Sequence, residues 1–334
     1  MTRRESNKIK YILFIVSVLV ILIHSLNNET RFERFFANGI GQFAVPTFFL
    51  ISGFLFFRTV HTLYDIKHKL RRRIRTLLIP YLIWNLIYYV LNLLMKPGNG
   101  ISMIEITEAA FNYKYNPTFW YMYQLILISI LTPLLYYGLK NIRYSIILFL
   151  ILSYFIYFGI DVPYINEDAA TYFFVGAVTA KLYSAGKIDI INKKYILPVT
   201  LVSVLLYAFN RFLYPYVNNS IHAYHAFILS TVYVRLAFAV FIFYISDLFF
   251  NYESVSGFME HTFFLYAIHY MIVRGMANIL EYSETYFLPS SIHTIIEIVF
   301  FVISPIVCVV INYYLSRFLK KNYNKLYIVI TGDR

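Results

Sequence analysis

Residues 11–25 read YILFIVSVLVILIHS, an apolar run whose one strongly ionisable group is His24, and the residues just before it, RRESNKIK (3–10), carry four basic side chains. A segment of this length, charge-free until its last turn and preceded by Arg and Lys, predicts a helix that enters a bilayer from its basic end. No small-residue cleavage site follows it, so a permanent helix is expected rather than a signal peptide.

The same pattern recurs outward from this run. Apolar segments bounded by charges, Pro, Gly and Asn lie at 11–26, 40–57, 77–95, 117–137, 144–160, 169–184, 195–214, 227–246, 261–280 and 294–316. The sixth is short and carries Gly176. Composition agrees: of 334 residues 60% are hydrophobic and 14% charged, against about 25% charged in a soluble domain. Mean hydropathy is +0.62. The expected fold is therefore all-α, a polytopic membrane protein of about ten transmembrane helices, forming one membrane-embedded unit over residues 1–334 with no separate soluble domain. The single cysteine, Cys308, falls inside an apolar run, so it forms no intrachain disulfide and reads as packing.

Charge distribution tests the segmentation. With both termini in the cytoplasm, 22 Lys and Arg fall on the inner side and five on the outer side, namely Arg31, Arg34, Lys96, Lys114 and Arg211. That asymmetry is the positive-inside pattern. Topology thus accounts for most of the formal charge of +12, and nucleic acid is not an expected partner. The loop from Asp247 to Glu260 runs against the trend, with three acids and no Lys or Arg on the inner side.

Polar groups inside spans are costly and point to function. His24 lies about 21 Å from the inner boundary, in the outer third of a core about 30 Å thick. Arg274 and Arg235 come out near the same level, at about 20 Å and 18 Å, and His269 lower, at about 12 Å. The two arginines suit either a substrate role in a hydrated cavity or structural pairing, with Glu297 as a counter-ion. On the inner side, HTLYDIKHKLRRRIR (61–75) crowds Arg71, Arg72, Arg73 and Arg75 ahead of Pro80. Guanidinium forks suit phosphate, while the same cluster would also serve as a topology signal or attract anionic lipid.

Five short motifs then coincide in order. They are ILIHS with His24, GQFAVPTFFLISGFLFF (41–57) with Ser52 and Gly53, KLRRRIRTLLIPYLIW (69–84), PTFWYMYQLIL (117–127) and HTFFLYAIHYMIV (261–273). Together they make the chain resemble the bacterial membrane-bound acyltransferase-3 family, whose members O-acetylate cell-surface polysaccharides. One position departs from the family pattern: many members carry Arg eleven residues before the first-span His, where this chain has Leu13, with Lys10 the nearest basic residue upstream.

The resemblance implies a multi-pass protein of the bacterial plasma membrane that takes an acyl group, acetyl first and succinyl as an option, from cytoplasmic acyl-CoA. The acceptor would be a hydroxyl of a capsular, exopolysaccharide or wall glycan, polymeric or lipid-linked. Acetyl-CoA is the donor substrate; no metal and no permanently bound cofactor are expected. His24 would be general base or transient acyl acceptor, the arginines from Arg71 to Arg75 the donor-phosphate site, and Arg235, Arg274, His269 and Ser52 substrate contacts. Trp120 and Tyr121 offer faces on which a pyranose can stack. A competing expectation is a transporter or flippase for lipid-linked glycan that binds anionic solutes through the Arg235 and Arg274 layer, although no internal repeat supports it.

Overall fold

The structure, a computed structural model, describes residues 1–26, 35–37, 39–95, 101–286 and 293–333, with the side chains of 283–286, 293 and 294 excepted. Arg31, Arg34 and Lys96, expected in outer loops, lie outside the described residues. Among the described residues there is no strand, only an isolated bridge between Val162 and Ile165. The helices are α1 (Arg3–His24), α2 (Ala44–Phe57), α3 (Leu63–Arg73), α4 (Ile79–Met95), α5 (Met103–Asn112), α6 (Trp120–Ile130) and α7 (Thr132–Gly138). They continue with α8 (Ile142–Phe158), α9 (Glu167–Ser184), α10 (Ile196–Leu213), α11 (Ile221–Ile245), α12 (Thr262–Tyr286), α13 (His293–Asn322) and α14 (Asn324–Thr331).

Seven helical segments among the described residues are long and apolar enough to cross a membrane, and an eighth is added if the bent pair α6 and α7 counts as one span. The chain is thus an all-α polytopic membrane protein. The two remaining expected segments form helices where the sequence places them. Helix α8 is 17 residues, about 26 Å long. Helix α9 is less apolar, with Glu167 and Asp168 in its first turn, Lys181 in its last, and small or polar residues such as Ala169, Thr171, Tyr172 and Gly176 buried between them. A helix wrapped by protein has no need of a lipid-facing apolar surface.

Local chemistry sets the helix ends. Asn141 accepts a hydrogen bond from the Arg143 amide at 3.0 Å to open α8, and Asn166 accepts one from Ala169 at 2.8 Å to open α9. Thr62 and Asp65 cap α3 reciprocally, Asp65 accepting from the Thr62 amide at 2.8 Å and Thr62 Oγ1 from the Asp65 amide at 3.3 Å. The 60° bend between α6 and α7 follows from Pro133, which has no N–H for the Ser129 carbonyl. Thr132 Oγ1 takes that carbonyl instead, at 2.6 Å.

The chain divides into two compact units, the first made of Met1–Val16, Gln42–Lys69 and Leu127–Val255 and the second of Ser17–Gly41, Leu70–Ile126 and Ser256–Arg334. The first unit is centred on the crossing of α2 and α9. A Cβ added at Gly53 would lie 2.0 Å from the Phe173 carbonyl oxygen, and one at Gly176 would lie 2.0 Å from that of Leu50. The two helices therefore touch backbone to backbone, the small-residue packing that replaces hydrophobic drive inside a bilayer.

Helix α1 is anchored in this unit by Lys8, which is fully buried and pairs with Asp247 at 2.7 Å. Lys8 also donates to the Ile190 carbonyl at 2.7 Å and sits 4.2 Å over the Phe243 ring. The inward lysine is thus Lys8, while Lys10 is exposed. Asp247, the first acid of the loop that runs against the expected charge trend, neutralises it.

In the second unit the chain runs from α3 into α4 through a wide turn at Ile74–Leu78. Pro80 has no N–H to give the Thr76 carbonyl, which relaxes the ladder there. The last helix, α14, packs against this stretch. Trp84 Nε1 donates to the Ile330 carbonyl at 2.9 Å, and Tyr327 shares a 2.7 Å hydrogen bond with His261 Nδ1. Gly332 closes α14 with φ +68°, and a Cβ there would fall 2.4 Å from the Thr76 oxygen. Alanine at 332 meets both left-handed backbone strain of roughly 1–2 kcal/mol and this clash. Gly332→Ala is therefore expected to undock α14 and speed tryptic cleavage at Lys325 several-fold; an unchanged cleavage rate would refute the docking role.

Candidate active site

The second unit gathers several of the expected site residues. His24 ends α1, where the helix dipole favours a basic group. Its ring lies 5.5 Å from that of His269 on α12 and 5.9 Å, edge to face, from that of Tyr270. His269 is 1% exposed. Its Nδ1 lies 2.6 Å from the Tyr266 carbonyl, an atom that can only accept. Nδ1 therefore carries the hydrogen, and Nε2, buried and without a partner among the described residues, presents its lone pair. A neutral His269 in this tautomer accepts a hydrogen bond and does not donate to an oxyanion from Nε2.

The remaining walls come from two neighbours. The turn at 116–119 is built by Asn116, whose Oδ1 accepts from the Thr118 amide at 3.1 Å and its hydroxyl at 2.6 Å, and by Pro117 at the first helical position. Tyr266 donates to the Thr118 carbonyl at 2.6 Å and stacks on Phe119 at 5.7 Å. The Tyr121 ring meets Tyr266 edge-on at 5.8 Å, and Tyr266 lies 5.8 Å from His269. Tyr121, Tyr266, His269 and His24 thus form a continuous line of rings. Trp120 is half-buried beside them in sequence.

Tyr88, on α4, supports His269 from behind. Its hydroxyl donates to the Ala267 carbonyl at 2.9 Å and accepts from the Met271 amide at 3.2 Å. Those are the two backbone groups an undisturbed helix bonds to each other, so the hydroxyl is wedged into the α12 ladder on either side of His269. Asn116 Nδ2 is a further buried donor with no partner among the described residues. Neither Tyr88 nor Asn116 is marked by the sequence, since one is among 33 tyrosines and the other reads as an ordinary turn residue.

Arg274 is on α12 five residues beyond His269, about 140° around the helix axis, and is exposed. Arg71, Arg72 and Arg75 are exposed, Arg73 is half-buried, and the first three make no hydrogen bond or ion pair among the described residues. Arg235 and Ser52 belong to the first unit. Ser52 is half-buried on α2, next to the Gly53 crossing. Within that unit Arg235 faces Asp168 at 3.6 Å. In a loop of the second unit, Lys114 is paired with Glu108 at 2.5 Å and Glu105 at 2.9 Å, whose carboxylates hold its ammonium above the usual lysine range.

A family model described as an acyltransferase domain, that of the acyltransferase-3 group, matches residues 8–317. No curated protein and no solved structure matches the chain significantly.

Proposed function

Because the chain belongs to the acyltransferase-3 family, we propose that this membrane acyltransferase carries an acyl group, acetyl first, from cytoplasmic acyl-CoA to a hydroxyl of a cell-surface glycan. The compartment is the bacterial plasma membrane, with both termini inside. The observation that carries this reading is the His24 and His269 pair, two imidazoles 5.5 Å apart in a largely buried, ring-lined site. Acyl transfer needs a base at the acceptor hydroxyl, and an imidazole is suited to that task near neutral pH.

The steps balance without a cofactor. His24, as neutral imidazole, takes the proton of the attacking sugar hydroxyl while its oxygen bonds to the thioester carbonyl carbon. The C–S bond then breaks, and the proton passes to the leaving CoA thiolate. In the covalent variant His24 holds the acyl group between two such half-reactions. His269 Nε2, held as an acceptor by the Tyr266 carbonyl, orients the sugar hydroxyl or the N–H of His24. This assigns His269 to positioning in place of oxyanion stabilisation. Trp120 and Tyr121 offer ring faces to the pyranose.

Arg71, Arg72, Arg73 and Arg75 are the donor-phosphate site in this proposal. Its support is that Arg71, Arg72 and Arg75 are exposed and carry no ion pair among the described residues, which leaves their guanidinium forks for phosphate. Ser52 and Arg274 remain proposed substrate contacts. The transporter alternative loses its main support, because an anion layer needs uncompensated Arg235 and that side chain faces Asp168.

The test is acyl transfer in proteoliposomes, with radiolabelled acetyl-CoA on the cytoplasmic face and label followed into extracted host glycan. Label in glycan is expected. Folded protein that consumes no acetyl-CoA with authentic glycan present would overturn the reading.

A further inference from the structure

The first unit contains a polar cluster that the histidine site does not use. Asp168 stands in the first turn of α9, and Thr171 and Tyr172, three and four residues on, share its helical face. Arg235 reaches this face from α11, its guanidinium 3.6 Å from the Asp168 carboxylate. Three features set the cluster apart from a structural ion pair.

First, the pair is open. At 3.6 Å the two groups attract without a hydrogen bond, and their side chains are 32% and 30% exposed. Second, the residues beside them are closed off and unsatisfied. Thr171 is 0% and Tyr172 3% exposed. Thr171 Oγ1, the Tyr172 hydroxyl and Arg235 Nε are buried with no hydrogen-bond partner among the described residues. The Tyr172 hydroxyl lies close to the Arg235 guanidinium and to Asp168 but outside hydrogen-bonding geometry with either. Buried polar atoms in proteins are nearly always paired, so orphans gathered around one ion pair point to a missing partner. Third, the four side chains carry no net charge among themselves, and the one further charge acting on Asp168, that of Glu167, is also a carboxylate. An anion would meet the carboxylate and a cation the guanidinium, whereas a hydroxyl can donate to Asp168 and accept from Arg235, Tyr172 or Thr171.

We infer that Asp168, Thr171, Tyr172 and Arg235 form a saccharide-binding site that grips vicinal hydroxyls of a neutral sugar, which on the acyltransferase reading is a residue of the acceptor glycan. On the proposed orientation, α9 begins at the outer face, the side from which a cell-surface glycan arrives. The site lies wholly within the first unit. It turns Arg235 from an isolated charge into one half of a hydroxyl clamp, and it adds three residues that the sequence does not mark.

Tyr172→Phe and Thr171→Val remove one hydroxyl each with little change of volume, and Asp168→Asn keeps shape while removing charge. In the proteoliposome assay each is expected to raise the acceptor KM about tenfold, with the KM for acetyl-CoA within twofold of wild type. A second readout needs no turnover: extracted host glycan should raise the Tm of the detergent-purified full chain, and Tyr172→Phe should lose most of that shift. If wild type transfers no label yet glycan raises its Tm in a Tyr172-dependent manner, the saccharide site stands and the acyltransferase chemistry falls. If acceptor KM and the glycan-induced shift are the same in wild type, Tyr172→Phe and Thr171→Val, the hydroxyls are packing groups and the inference is overturned. Should Asp168→Asn fail to fold, the two hydroxyl deletions decide the question.

Discussion

His24→Ala is expected to cut glycan acylation by about 10³-fold or more while leaving the protein inserted and folded. General base catalysis contributes typically 10²–10⁴-fold, and a covalent acyl-imidazole route would fail altogether. His24 is at the last position of α1, so truncation removes no helix-interior contact. It also leaves intact the Lys8 and Asp247 pair that anchors the other end of the helix. The measurement is label in glycan per mole of protein, with Tm and size-exclusion profile taken on the same preparation. Activity within tenfold of wild type, in folded His24→Ala, would remove His24 from the chemistry. His269→Gln is the informative companion. Glutamine retains an acceptor oxygen in place of Nε2, so the proposed positioning role expects a partial loss, well short of that in His24→Ala.

The largest expected effect on stability is at the crossing of α2 and α9. Gly176→Leu puts side-chain atoms where the Leu50 carbonyl already sits, since even a Cβ would lie 2.0 Å from that oxygen. Overpacking usually costs about 1–3 kcal/mol, because side chains can give way. Here the obstacle is backbone, and the helices must separate along their whole contact. Gly176→Leu and Gly53→Leu are therefore expected to abolish recovery of monodisperse protein, and Gly176→Ala to fall at or above the upper end of that range. Gly53→Ala and Gly176→Ala strain one shared contact, so their effects together should be less than the sum. Gly275→Ala supplies the contrast: nothing lies within 4 Å of its Cβ, and alanine in a helix interior gains about 1 kcal/mol over glycine. Equal Tm values for Gly176→Ala and Gly275→Ala would refute the crossing as the core of the unit.

This crossing also shows where sequence reading reaches its edge. In the sequence Gly176 weakens the sixth span, and Ser52 with Gly53 appears as a family motif. In three dimensions both glycines serve one contact, and the low hydropathy of α9 is the mark of a helix enclosed by protein. The count of spans has two separate causes: α8 is apolar but only 17 residues long, and α9 is long enough but carries Glu167, Asp168 and Lys181 among small and polar residues.

The site divides in a similar way. His24 and His269 are legible because an ionisable group in an apolar run is conspicuous by its cost. Tyr88 and Asn116 are not legible, because their side chains are unremarkable in kind and act only through where their atoms end up. Depth along a helix, counted at 1.5 Å per residue, ranks groups by level but says nothing of azimuth, which is how Arg274 comes out level with His24 and yet lies about 140° around α12 from His269, whose ring adjoins that of His24.

The sequence by itself determined the all-α membrane class, the positions of the apolar segments and the family, since each depends on composition and order over one or two dozen neighbouring residues. Tertiary structure alone decided the pairings: Lys8 with Asp247, Arg235 with Asp168, Gly53 with Gly176, the tautomer of His269 and the wedge of Tyr88. The physical reason is range. Burial in lipid is a property of a segment, whereas charge compensation, hydrogen-bond satisfaction and close backbone approach are properties of pairs brought together from distant parts of the chain.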